Sequence, residues 1–150
     1  MKLAVGLFAL DSIKEAVQIH QQCLPMPWSE DVFHETLKDP THIGFKGIVD
    51  DTLVGFIMGR RVDLESEILT LVVHKDWQKK GIGAKLLNLF LNYLQHEGVC
   101  RVLLEVQASN TPALELYRVF GFKKIGERAN YYPVAAGYSR TADVLQKTFF

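Results

Sequence analysis

Two apolar runs, EILTLVVH (Glu67 to His74) and VCRVLLEV (Val99 to Val106), bracket one amphipathic helical stretch that begins at Ile82. Runs this apolar read as strands covered on both faces. The stretch between them places Ile82, Leu86, Phe90 and Leu94, with Leu87, Leu91 and Tyr93, on one broad apolar face. A second helix, NTPALELYRVFGF, follows the second run. Helices that follow the two most apolar strands predict a mixed sheet with parallel pairing near its middle.

The rest of the chain supplies the remaining layers. KLAVGLFA, residues 2–9, reads as a first strand, and DSIKEAVQIHQQC as a helix opened by a capping box of Ser12 with Glu15. LPMPWSEDVFHETLK breaks at two prolines and restarts as a helix at Ser29, an N-cap followed by Glu30 and Asp31. HIGFKGIV and LVGFIMGRRVD flank Asp50-Asp51-Thr52 as a hairpin. In the second helix Thr111 is the expected N-cap, Pro112 the first helical residue and Gly121 the stop. KKIGERANYY and TADVLQKTFF are final strands, which gives the order β-α-α-β-β-β-α-β-α-β-β. The expected class is α/β with a mixed sheet of about seven strands and about four helices, one domain over residues 1–150.

Composition narrows the setting. Seventeen basic and seventeen acidic residues cancel, which argues against general nucleic-acid binding and against an anionic membrane surface. No apolar run approaches the ~18 residues of a membrane span. The N-terminus reads as a strand rather than a signal peptide. Cys23 and Cys100 form no framework and read as reduced core residues of a cytoplasmic protein. His20, His34, His42, His74 and His96 show no H-x-x-x-H or H-E-x-x-H spacing, so no metal site is expected. Ser109 lacks a nucleophile-elbow context, and Arg60-Arg61 reads as a solvated strand end.

The helix at Ile82 starts badly. Gly81 and Gly83 stand in its first turn, where each glycine weakens a helix by roughly 1 kcal/mol relative to alanine. Lys79 and Lys80 add positive charge at the positive end of the helix. One reading is an ordinary tight turn with solvated lysines. The other is a phosphate cradle, in which unpaired N–H groups meet a bulky anion that glycine lets approach. The spacing fits neither a P-loop nor a dinucleotide fingerprint.

The segment VVHKDWQKKGIGAKLL resembles the Q/R-x-x-G-x-G/A signature of the GNAT superfamily of N-acetyltransferases. LLEVQASNTPALELYRVFGFKKIGERANYYP is similar to one branch of it, the bacterial ribosomal-protein alanine N-acetyltransferases, with their L-E-V-R-x-S-N, A-x-x-L-Y, G-F and R-x-x-Y-Y motifs. MPWSEDVFHETL resembles the P-W-S helix start of the same branch, so the similarity runs in order over nearly the whole chain.

The resemblance implies a GNAT fold and acetyl transfer from acetyl-CoA, without a metal, to the α-amine of a protein N-terminus. Alanine on a small-subunit ribosomal protein is the best guess. A small-molecule amine substrate and a non-enzymatic acyl-CoA sensor are the alternatives. An α-amine with pKa of about 8 is roughly one tenth neutral at pH 7, so it needs only modest help from a base. The resemblance puts the pyrophosphate at Lys79, Lys80, Gly81, Ile82, Gly83 and Ala84, and the pantetheine arm along the main chain of Leu71, Val72 and Val73, where one N–H polarises the thioester carbonyl.

Glu67 reads either as an exposed strand end or as a base, because many GNAT enzymes use a glutamate on that strand. The branch motif assigns the base to Glu105 and the acid beside the sulfur to Tyr117. Asn110 is a helix-opening residue or, by resemblance, a cofactor contact. Trp28, Arg128, Tyr131 and Tyr132 are the candidates for holding the substrate peptide. No direct nucleic-acid or membrane partner is expected, and a monomer is favoured. Two positions depart from the branch: Gln107 replaces the arginine of L-E-V-R, and the acidic pair before the last strand is missing from GYSRTADVLQK, with Ser139 and Arg140 nearby and Asp143 displaced.

Overall fold

A computed structural model describes residues 2–131 and 140–150. The elements are β1 (Ala4–Leu7), α1 (Ile13–Cys23), α2 (Glu30–Lys38), β2 (His42–Val49), β3 (Thr52–Val62), β4 (Glu65–Val73), α3 (Ile82–His96), β5 (Arg101–Gln107), α4 (Thr111–Val119), β6 (Lys123–Arg128) and β7 (Ala142–Thr148), with 3-10 turns at Leu10–Ser12 and Lys75–Trp77. This is the order the sequence predicts. Among the described residues the strands form one seven-stranded sheet, β1-β2-β3-β4-β5-β7-β6. β4 and β5 run parallel, joined by the α3 crossover, and the other neighbours are antiparallel.

The sheet carries a core on each face. On one side α3 and α4 bury Ile82, Leu86, Phe90, Leu94 and Tyr117 against Ile57, Ile68 and Leu104. On the other side α1 and α2 bury Ile13, Ala16, Ile19 and Phe33 against Leu53, Phe56, Met58 and Val72. β3 therefore feeds both cores, as its long buried stretch requires. The two-residue turn at Asp50 and Asp51 has φ of 50° and 63°, the left-handed pair that suits a tight hairpin.

Several local expectations are corrected. β1 is shorter than residues 2–9, because the chain leaves the strand into the Leu10–Ser12 turn. Ser12 and Glu15 form no capping box: Ser12 has helical backbone angles (φ −98°, ψ −5°) and makes no cap bond. Glu15 instead accepts the backbone N–H of Leu53 at 3.1 Å, tying α1 to β3. Asn110, not Thr111, caps α4 by accepting from Ala113 N at 3.3 Å. Thr111 is then the first helical residue. Cys23 and Cys100 are free thiols, but each is only half-buried rather than in the core. Tyr132 and Ser139 lie outside the described residues. Among the described residues no helix is long and apolar enough to cross a membrane.

Candidate active site

A bulge in β4 creates the site. Met58 of β3 stands opposite Thr70 and Gly59 opposite Ile68, so Leu69 is the extra residue. A bulge bends its strand and reverses the facing of the residues beyond it. Ile68 packs into the α3 side of the sheet, whereas Val72 packs into the α1 side. The bend coincides with the end of the parallel pairing: β4 and β5 are in register from Glu65–Arg101 to Ile68–Leu104 and no further. Beyond that point each strand is still paired on its far side, β4 with β3 and β5 with β7. The two strands part like a fork, and between the tines each keeps backbone groups without a strand partner.

The fork opens into a cavity of about 220 Å³. Its walls include Glu67, Thr70 and Leu71 from β4, Glu105 and Gln107 from β5, Asn110 just before α4 and Tyr117 within it, and Leu24, Pro25, Met26 and Trp28 from the α1–α2 loop, with Tyr131 also lining it. Of the residues singled out in the sequence, the fold thus gathers Glu67, Leu71, Glu105, Asn110, Tyr117, Trp28 and Tyr131 around one space. Val72 turns its side chain into the α1-side core. The carbonyl of Val73 accepts the Gln78 side chain at 3.0 Å.

Glu105 is half-buried and bound from outside. Arg128 Nη1 donates to both of its oxygens, at 2.8 and 3.1 Å. The Arg128 guanidinium also stacks 4.4 Å from the centre of the Tyr131 ring. The Tyr131 phenol is pushed above its ordinary pKa, first by burial and then by the charge and hydrogen bond of Glu105. Arg128, expected to hold substrate, is thus engaged by the carboxylate it adjoins. Glu67 pairs with Arg60 at 3.2 Å, before the bulge. Tyr117 is buried in α4 with its ring 5.5 Å from that of Phe122. Burial raises its phenol pKa well above the usual value, so the group stays protonated and can donate a hydrogen bond.

The α3 N-terminus follows the C-terminal end of β4, the end at which the fork opens, after the 3-10 turn. Gly81 stands at its N-cap position with φ 82° and no side-chain cap, and no acidic residue occupies the first turn. Lys85 N to Gly81 O, at 3.1 Å, is the first helical bond there. The N–H groups of Ile82, Gly83 and Ala84 therefore precede the helical ladder. Lys79 is also left-handed, with φ 64°, a conformation that costs a non-glycine residue roughly 1 kcal/mol or more. Gly83 needs no special backbone angle, and a Cβ there would meet Leu116 and Val73 only at ordinary contact distances of 3.7 Å. The protein's own packing does not demand that glycine. The amide donors and lysines at this helix start suit an anionic group.

Sequence reading gave no positioning role to His20 or Thr70, and it noted Gln107 only as a departure from the branch motif. His20 is fully buried among Trp28, Phe33 and Phe56. Its Nδ1 accepts the Trp28 N–H at 3.1 Å and its Nε2 lies 2.8 Å from Thr70 Oγ1. The only available signal was a threonine interrupting an apolar strand. Among the described residues, Gln107 Nε2 is buried without a hydrogen-bond partner. Asp143 is held by Lys124 at 3.4 Å. Among the described residues no three metal-ligating side chains cluster.

Burial lowers the His20 pKa from 6.5 to about 4. The folded state therefore keeps the ring neutral, while the unfolded chain protonates it below about pH 6.5. The stability this provides is complete above pH 6.5 and drains as pH falls towards 4. Denaturant titrations at pH 7 and pH 4.5 should differ by about 2–3 kcal/mol from this residue, and His20→Phe should remove that part of the difference.

The acetyltransferase (GNAT) family model matches residues 13–122. The [Ribosomal protein bS18]-alanine N-acetyltransferase of Salmonella typhimurium is 32% identical over 134 residues, 89% of this chain and 90% of that protein. The Mycobacterium tuberculosis N-alpha-acetyltransferase RimI is 35% identical over 119 residues, 77% of this chain and 73% of that protein. The crystal structure of the Escherichia coli ribosomal-protein-S18-alanine N-acetyltransferase superposes with a TM-score of 0.90 at 27% identity, covering 98% of this chain and 94% of that one. A signature helix start, a forked mixed sheet and relatives along nearly its full length converge, and the chain belongs to the GNAT acetyltransferase family.

Proposed function

We propose that this chain, acting as a single-domain cytoplasmic monomer, transfers an acetyl group from acetyl-CoA to the N-terminal α-amine of a protein, alanine on a small-subunit ribosomal protein being the favoured acceptor. The observation that carries the reading is the fork: one cavity brings Glu105 and Tyr117 to the parted strands, and the α1–α2 loop walls it opposite the sheet. The names of the relatives support the acceptor.

Acetyl-CoA supplies the acyl group as a thioester. The N–H groups of Ile82, Gly83 and Ala84, with Lys79 and Lys80, suit its diphosphate. The open edge of β4 around Leu71 suits its amide-bearing arm, with Asn110 at the cavity wall. Glu105 receives the proton of the attacking amine, directly or through one water. Tyr117, with its pKa raised by burial, is a weak acid, so its main contribution is a hydrogen bond to the departing sulfur. Trp28, Arg128 and Tyr131 frame the acceptor side, Arg128 by steadying Glu105 and Tyr131.

Tyr117→Phe removes one oxygen and keeps the packing on Phe122. A hydrogen bond to a charged group is worth about 1.5–3 kcal/mol, so kcat should fall about 10- to 100-fold, with the melting temperature little changed. Thiol release with a panel of short peptides that differ in the first residue tests the function itself. Alanine-first peptides should react fastest. Equal rates with polyamines or with an N-terminally blocked, lysine-bearing peptide would overturn the reading.

A further inference from the structure

The α1–α2 loop enters the cavity wall between two prolines, Pro25 and Pro27, neither of which has an N–H to anchor it. One buried residue holds it at both ends. The His20 carbonyl accepts Leu24 N at 2.9 Å, where α1 ends. The His20 ring accepts Trp28 N at 3.1 Å, just before α2 begins. Because a backbone N–H can only donate, Nδ1 must be the bare nitrogen and Nε2 must carry the proton. Nε2–H therefore donates to Thr70 Oγ1, 2.8 Å away. Thr70 is the residue directly after the β4 bulge, and it also lines the cavity.

We infer that His20 is a positioning residue for the acceptor: through one ring it locks the loop that forms the acceptor wall to the bulged strand that forms the opposite wall. The two sides of this lock are unequally supported. Beyond Thr70, β4 is held by its register with β3 from Gly55 to Met58 and by the burial of Val72. Among the described residues the loop has, besides His20, the Trp28–Phe33 ring contact at 5.1 Å and the partial burial of Leu24 and Trp28 against the α1-side core, but no strand pairing. When the lock is broken, the loop moves and the strand stays. The acyl-donor edge of the site is then preserved while the acceptor slot widens.

The inference rests on the proposed transfer to a peptide amine, and three variants test it. His20→Phe fills the aromatic cage but makes neither hydrogen bond. Thr70→Val is nearly isosteric and breaks only the strand end. His20→Gln can still accept from one side and donate to the other. Thr70→Val should raise KM for an alanine-first peptide about tenfold, the equivalent of one lost hydrogen bond, and His20→Phe, which loses two, at least as much. KM for acetyl-CoA should stay within about twofold, and His20→Gln should restore most of the peptide KM. A second readout does not depend on activity: amide hydrogen exchange over residues 24–29 should accelerate in Thr70→Val and His20→Phe and not over β4. Equal rises in both KM values, or unchanged peptide KM and unchanged exchange in Thr70→Val, would overturn the inference. Thr70→Val decides it should His20→Phe not fold. If the wild type acetylates no peptide, the proposed function fails, while the exchange result still decides whether the lock exists.

Discussion

Replacing Glu105 with glutamine should lower kcat by about 10²- to 10⁴-fold, the range general-base removal commonly produces, while acetyl-CoA binds as before. Glutamine keeps the shape of the side chain. Its carbonyl can still accept from Arg128, which lies 2.8 Å from one carboxylate oxygen. The pair is partly solvated, with 56% and 22% side-chain exposure, so weakening it should change stability by no more than about 1 kcal/mol. What the amide cannot do is take a proton. The residual rate of the variant should therefore climb with pH towards and beyond 8, following the fraction of acceptor amine that is already neutral, whereas the wild type has its own base at lower pH. Glu67→Gln is the matched control. Glu67 also reaches the cavity, but it sits before the bulge and pairs with Arg60. Its loss should cost less than about fivefold in kcat, which is under 1 kcal/mol. A large loss in Glu67→Gln with full activity in Glu105→Gln at pH 7 would transfer the role of base from β5 to β4.

The element order was legible because each element announces itself locally: amphipathic helix patterns, apolar runs, an Asp-Asp turn. The glycines at the start of α3 were legible for the opposite reason, since they contradict the helix they begin. The gathering of Glu105 and Tyr117 around one cavity followed from motif resemblance, because nothing in the spacing of β5 and α4 fixes where a carboxylate and a phenol will meet. The bulge at Leu69 was not legible. An apolar run reads the same with or without an extra residue, and only the register against β3 reveals the reversed facing of Thr70 and Val72. The insertion of β7 between β5 and β6 was equally hidden, since it depends on which of two short strands better fills the open side of β5. Arg128 stood out as the first residue of the R-x-x-Y-Y motif. Its pairing with Glu105, 23 residues away in the chain, was not legible, because it depends on the sheet order. His20 carried no motif at all, and its importance is purely tertiary.

Ala84→Glu should separate ligand binding from folding by moving them in opposite directions. Ala84 lies in the first turn of α3, at the helix end where no acidic residue occurs. For the folded protein alone, a carboxylate there is favourable: it meets the positive end of the helix dipole and adds about 0.3–1 kcal/mol. The melting temperature should hold or rise by up to about 4 °C. For a bound diphosphate the same carboxylate is a like charge at close range. At a separation of about 6 Å and an effective dielectric constant of about 20, the repulsion is about 3 kcal/mol per charge pair, or about a hundredfold in affinity. KM for acetyl-CoA should therefore rise by about 10²-fold, with kcat at saturation nearly unchanged because Glu105 and Tyr117 are untouched. Raising the salt concentration should narrow the gap between variant and wild type, since partly exposed charges are screened. Ala84→Gln, similar in size but neutral, separates crowding from charge: it should leave most of the donor affinity in place. If Ala84→Glu is as active as the wild type at low acetyl-CoA, or if calorimetry detects no binding of CoA to the wild type, the amides of Ile82 to Ala84 do not grip the diphosphate. The exposed αL glycine at position 81, the dispensable glycine at 83 and the left-handed Lys79 would then be a costly helix start with no ligand to explain it.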